Sequence, residues 1–164
     1  MEERRLVYNL DELTATDLID WRKAMALIGD GESKCRYIYN REKVTTFAIN
    51  RACRCYPSDF MVTSSGHLKF LESKVPRYVP VISYTNEEAE KKGLIVRGNA
   101  VLFLSLLVKW IEHGPIFLQG FNFSRSDQRN YNWQSQVVGF KQCYEYARQR
   151  TLPIYLTHYN QKLD

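Results

Sequence analysis

Apolar positions along the chain come in short runs separated by longer amphipathic stretches, and the runs read as strands. "AMALI" (Ala24–Ile28) is continuous rather than alternating and stops at Gly29 and Gly31, as a strand buried on both faces does. "VTTFAI" (Val44–Ile49) and "FMVT" (Phe60–Thr63) repeat the pattern with β-branched and aromatic residues. "YVPVISY" (Tyr78–Tyr84) is extended, although its proline disfavours a fully paired central strand. "IFLQGFNF" (Ile116–Phe123) and "PIYLT" near the C-terminus complete the set, the last as a closing strand.

Helical patterns alternate with these runs. Residues 11–21 ("DELTATDLIDW") predict a short amphipathic helix or turn, with Thr14 or Thr16 as its cap. His67–Lys74 predicts a short helix, and "TNEEAEKKG" a polar helix or loop. "NAVLFLSLLVKWIE" (Asn99–Glu112) is apolar nearly all round, which predicts a helix packed on a sheet and ended by Gly114-Pro115. "WQSQVVGFKQCYEYARQR" is amphipathic, with basic residues in its last turn. This alternation predicts an α/β fold, a Rossmann-like, mostly parallel sheet with helices on both faces. No repeat or Gly/Ser linker divides the 164 residues, so residues 1–164 are expected to form a single domain.

Composition narrows the function only slightly. No apolar run reaches the roughly 18 residues of a membrane helix, and "MEERR" lacks a signal-peptide core, so a protein of the cytoplasm is expected. The net charge of +5 suits an anionic partner such as a nucleotide, an acidic surface or nucleic acid. No Lys/Arg block runs five long, which argues against a general nucleic-acid binder. The four cysteines (Cys35, Cys53, Cys55, Cys143) have no zinc-ligand spacing and are expected to be reduced packing residues, with Cys53 and Cys55 on one face of an extended segment.

A parallel sheet binds ligands outside the carboxyl ends of its strands, which makes the residues just after each strand the candidates. They are Gly29, Asp30, Gly31, Glu32 and Ser33 after the first run, Asn50 and Arg51 after the second, and Ser64, Ser65 and His67 after the third. Gly98 and Asn99 precede the apolar helix, Asn122 follows the fifth run, and His158 and Asn160 the last. This rim is rich in amides and hydroxyls and poor in carboxylates. Amides such as Asn50 and Asn99 donate and accept at once, which suits a base edge, a ribose or a sugar. "GDGES" is either an ordinary turn or a ligand loop; it is neither a Walker loop nor a full dinucleotide fingerprint. "SRSDQRNYNWQSQ" (Ser124–Gln136) mixes Arg125 and Arg129 with Tyr131 and Trp133, as either a nucleotide-gripping loop or a solvated loop with Asn132 as a helix cap. His113, beside the Gly-Pro stop, is expected to face the helix C-terminus.

In order and spacing, "LIGDGES", "FAINRA", "DFMVTSS", "VRGNAVLFL", "IFLQGFNFS" and "PIYLTHYN" resemble a family of small Rossmann-like proteins, common in phages, related to bacterial sialyltransferases and to 6-hydroxymethylpterin pyrophosphokinase-like proteins. The resemblance covers Ala24 to Asn160. It implies that Gly29, Gly31 and Ser33 contact the phosphate and sugar of a nucleotide and that Asn50 binds the nucleotide. In that family the first loop usually carries Asn and Pro, where this chain has Asp30 and Glu32; an acid there repels phosphate unless it bonds a ribose hydroxyl. Asn122 stands in place of the family's Asp, removing a charge and weakening any metal site. The resemblance further implies a histidine general base, with His158 and His67 the candidates.

Two functions follow as expectations. One is a glycosyltransferase-like enzyme using a nucleotide sugar, with nucleic acid conceivable as acceptor. The other is a protein of the same fold that binds a nucleotide or nucleotide-derived signal without turnover, favoured by the missing acids and by a length that leaves little room for a lid. Neither needs a cofactor or a metal.

Overall fold

The computed structural model describes residues 6–121 and 133–156. They form seven parallel strands in one sheet, in the order β1-β5-β4-β3-β2-β6-β7. In chain order the elements are β1 (Val7–Tyr8), α1 (Leu10–Ala15), β2 (Ala24–Ile28), β3 (Val44–Ile49) and β4 (Phe60–Ser64). They continue with α2 (Ser65–Glu72), β5 (Val81–Tyr84), α3 (Asn86–Lys91), α4 (Asn99–Trp110), β6 (Ile116–Gln119), α5 (Trp133–Gln149) and β7 (Ile154–Leu156). The α/β, Rossmann-like class predicted from the run pattern is the fold observed.

The chain crosses the sheet in two directions, and that decides which face each helix covers. From β2 through β3 and β4 to β5 it advances one way; from β5 to β6 and β7 it returns. Parallel crossovers are right-handed, so reversing direction puts the connection on the opposite face. Accordingly Leu71 of α2 packs with Ala26, Ala48, Met61 and Val81, which point to one face. Helices α1, α4 and α5 pack on Leu27, Phe47, Phe60 and Ile82, which point to the other. Phe47 lies at the centre of that layer, its ring 4.8 Å from Phe103 of α4 and 5.5 Å from Phe60. Burial on both faces is why β3 is apolar or hydroxyl-bearing at every position and buried at all of them.

Several local expectations are corrected. The first helix is capped by Asn9, not by Thr14 or Thr16: the Asn9 side chain accepts from the Glu12 amide at 2.8 Å and Glu12 accepts from the Asn9 amide at 3.3 Å, a reciprocal box that fixes the start at Leu10. Pro80 does not exclude β5 from the sheet interior, because it stands just before the strand, where its carbonyl accepts from the Met61 amide. Cys53 and Cys55 do not share a face of an extended segment. Asn50–Arg54 is a 3-10 turn that buries Cys53 and exposes Cys55. A second 3-10 turn, Glu32–Cys35, follows β2, so the connections β2–β3 and β3–β4 carry no α-helix. Among the described residues no helix is long and apolar enough to cross a membrane.

Candidate functional site

Strand β2 is the point where the topology reverses: the connection leaving it goes to β3 on one face, while its other neighbour β6 leads to α5 on the other. Loops diverging this way open the crevice where doubly wound sheets hold ligands. Here the two strand ends meet through glycine. The Gly29 amide donates to Gln119 O and the Gly31 amide to Gly120 O, both at 2.7 Å. Gly120 has a φ of 80°, and a Cβ on it would lie 2.2 Å from Gly29 O, so the contact admits no side chain. Gly31, with a φ of −71°, is in ordinary extended backbone. The Gly-x-Gly pair therefore serves close approach of β2 to β6 at Gly29, rather than a left-handed turn.

Gln119 holds the loop beyond. Fully buried, its Nε2 donates to Lys34 O (2.8 Å) and Tyr37 O (2.9 Å), and its Oε1 accepts from the Tyr37 amide (3.2 Å). Ser33 is buried and accepts from the Gly120 amide at 3.2 Å, which ties it to the structure of the turn. Asp30 pairs with Lys34 at 3.2 Å, and that hydrogen bond, ahead of the pair's Coulomb attraction, raises the lysine pKa. The charge that stands where the resembling family has Asn is thus compensated within its own loop.

The next strand end carries the most specific geometry. Asn50, at the end of β3, has a φ of 51°, a left-handed conformation that Asn tolerates better than most residues. Its Oδ1 accepts from Asn99 Nδ2 at 2.6 Å, and Asn99 Oδ1 in turn accepts from the Tyr84 hydroxyl. Tyr84 is buried at the end of β5, and burial raises its pKa well above the ordinary tyrosine value, keeping it a neutral donor. The relay Tyr84–Asn99–Asn50 spans three elements and ends at the Asn50 Nδ2 group, which has no hydrogen-bond partner among the described residues.

Asn99 opens α4. Its N-cap, Gly98, has a φ of 100° and offers no side-chain cap, and the first turn has no acid. By contrast α1 and α3 are closed by the Asn9 and Thr85 side chains. The orphan amides of α4 and its positive dipole end therefore sit beside the Asn50 amide. Arg97, just before, donates to Ser135 Oγ of α5 at 3.0 Å.

Of the other candidates, Arg51 and Ser65 are exposed and Ser64 is half-buried as the N-cap of α2, with no capping bond from its side chain. His67 is exposed in the first turn of α2 and makes no hydrogen bond among the described residues. His113 lies at the opposite edge: its Nδ1 is 2.6 Å from Gly114 O and its Nε2 3.1 Å from Leu107 O, and burial lowers its pKa against those two carbonyls. Asn122, Arg125, Arg129, Tyr131, Asn132, His158 and Asn160 lie outside the described residues.

Tyr84 and Gln119 do not figure among the residues expected from sequence. Each closes a largely apolar run with a hydrogen-bonding side chain ("VISY", "IFLQ"), and that terminal polar group is the signal that marks them. Comparison with protein-family models, with curated proteins and with solved structures gave no match.

Proposed function

We propose that the carboxyl edge of the sheet binds a nucleotide or nucleotide sugar, with the Asn50 amide on a base edge or sugar hydroxyl and the phosphates against the start of α4. The observation that carries this reading is the Tyr84–Asn99–Asn50 relay, which orients an amide donor that has no partner among the described residues at the strand edge, beside a helix N-terminus whose N-cap, Gly98, has no side chain to close it. An amide donor reads a polar ligand group and the helix end favours an anion; a nucleotide carries both. The Asp30–Lys34 pair supports it further, because it offsets one of the two acids, Asp30 and Glu32, whose charge in the adjoining loop would oppose phosphate.

A second reading adds turnover, in which a histidine takes the proton of an acceptor hydroxyl as the sugar leaves its nucleotide. His67 favours it, being exposed, free of hydrogen-bond partners among the described residues, and one turn from the same edge. Binding is the better supported of the two, since its groups are oriented by their neighbours and His67 is not.

The test is a thermal-shift screen over nucleoside mono- and diphosphates, diphosphate sugars and cyclic dinucleotides. A ligand at about a hundred times its Kd adds about 2.7 kcal/mol, a rise of about 5 to 10 °C for a chain of this length. N50D keeps the acceptor for Asn99 but loses the donor; it is expected to fold and to lose the shift. No shift with any compound in the wild type overturns the nucleotide reading. Saturable binding without hydrolysis of a diphosphate sugar, or hydrolysis unchanged in H67A, overturns turnover through His67.

A further inference from the structure

The connections that leave β2 and β3 each contain a 3-10 turn that ends at an exposed thiol. Cys35 closes the 3-10 turn Glu32–Cys35, and Cys55 follows the 3-10 turn Asn50–Arg54. Because β2 and β3 are neighbours in the sheet, the two turns leave it side by side, and Cys35 Sγ lies 3.8 Å from the carbonyl oxygen of Cys55. Cys53 and Cys143, in contrast, are buried.

Basic residues neighbour both exposed sulfurs in the chain. Cys35 stands between Lys34 and Arg36 in sequence, and Cys55 directly follows Arg54. Lys34 is coupled to both: after its hydrogen bond to Asp30, the sulfurs of Cys55 and Cys35 are among the groups that hold its pKa up. The thiolate of an accessible cysteine is the nucleophile in thiol oxidation. Neither residue belongs to a strand or an α-helix, so the distance and dihedral that a disulfide demands would be reached by side-chain rotation and movement of the two turns rather than of the sheet.

We propose that Cys35 and Cys55 are a reversible dithiol–disulfide site whose oxidant is a hydroperoxide. One thiolate attacks a peroxide oxygen; the O–O bond breaks, leaving a sulfenic acid on sulfur and releasing an alcohol, or water when the oxidant is hydrogen peroxide. The second thiolate attacks that sulfur, the S–S bond forms, and the displaced hydroxide takes up a proton as water. In sum two thiols and one hydroperoxide give one disulfide, one alcohol and one water, with two electrons passing from the sulfurs to the peroxide. A dithiol reductant reverses the bond by exchange. In the oxidised form the turn after β2 is tied to the turn that begins at Asn50.

Treating the full chain with hydrogen peroxide and mapping peptides by mass without reduction tests this. The expected product has lost the mass of two hydrogen atoms, contains a Cys35–Cys55 linked peptide, titrates two thiols instead of four when denatured, and recovers all four with dithiothreitol. C35S and C55S, each with one thiol of the pair left, are expected to accumulate oxygen adducts on that thiol in place of the link. Oxygen adducts on wild-type Cys35 or Cys55 without a link, a link through Cys53, or a link between two chains overturns the assignment.

Discussion

Replacing Asn50 separates two roles that one residue combines. Its backbone is held at a φ of 51°, and its Oδ1 accepts a 2.6 Å hydrogen bond from Asn99. In N50A the left-handed conformation costs about 1 kcal/mol more than with Asn, and the lost hydrogen bond about another 1 kcal/mol, giving about 2 kcal/mol in all. N50G relieves the backbone term and keeps only the hydrogen-bond loss, about 1 kcal/mol. N50D retains an acceptor for Asn99 and is expected within about 0.5 kcal/mol of wild type. Urea unfolding at neutral pH should therefore order the proteins as wild type and N50D, then N50G, then N50A, with N50A melting about 4 to 8 °C below wild type. Equal stability of N50A and N50G would show that the backbone at Asn50 is not left-handed, and a large loss in N50D would show that the Asn99 contact is not an amide donor meeting an acceptor. Taken only as a rim residue, as its position after a strand suggests, Asn50 could be replaced by alanine with loss of binding alone. The relay changes that expectation, and N50D becomes the variant that isolates ligand recognition.

Three further outcomes follow from the same geometry. G120A places a Cβ 2.2 Å from Gly29 O at a left-handed position, so it should cost at least about 3 kcal/mol or abolish soluble expression, measured by urea unfolding. Q119L leaves the Tyr37 amide and the Lys34 and Tyr37 carbonyls without their partner; a loss of about 2 to 3 kcal/mol is expected, with faster hydrogen exchange at the Tyr37 amide, and unchanged exchange would refute its role in pinning the loop. Burial, first among the causes, and the Arg150 guanidinium depress the His113 pKa below its unfolded value, so its contribution is complete above about pH 6.5 and is lost as pH falls toward the folded pKa. The stability gap between wild type and H113Q should shrink from about pH 7.5 to about pH 5; a gap that widens contradicts a neutral buried ring.

The strands were the most legible part of the chain. Ala24–Ile28 and Val44–Ile49 have the bounds their apolar runs predict, because a strand covered on both faces tolerates few polar side chains and announces its ends where they begin. β1 was not legible: its two residues are too few to show a period, and its place is set by pairing Val7 with Val81 and Tyr8 with Ile82. The turn at Asn50–Arg54 was misread as extended because "NRACR" carries neither Gly nor Pro, while the left-handed Asn50 starts the turn. In the candidate site, Asn50 and Asn99 could be named from their positions beside predicted elements. That they bond each other could not, since 49 residues separate them and only the crossover of α4 above β3 brings them together.

The sequence by itself determined the class of fold, the parallel sheet and the edge at which polar groups gather, because those follow from local patterns of burial and from the handedness of crossovers. Tertiary structure alone decided which of those polar groups are free to act. Lys34 answers the charge of Asp30, Gly120 occupies Ser33, and Tyr84 orients Asn99 and through it Asn50. Whether a polar side chain is a structural partner or an available donor depends on what stands within about 3 Å of it, and that is fixed by the packing of segments far apart in the chain.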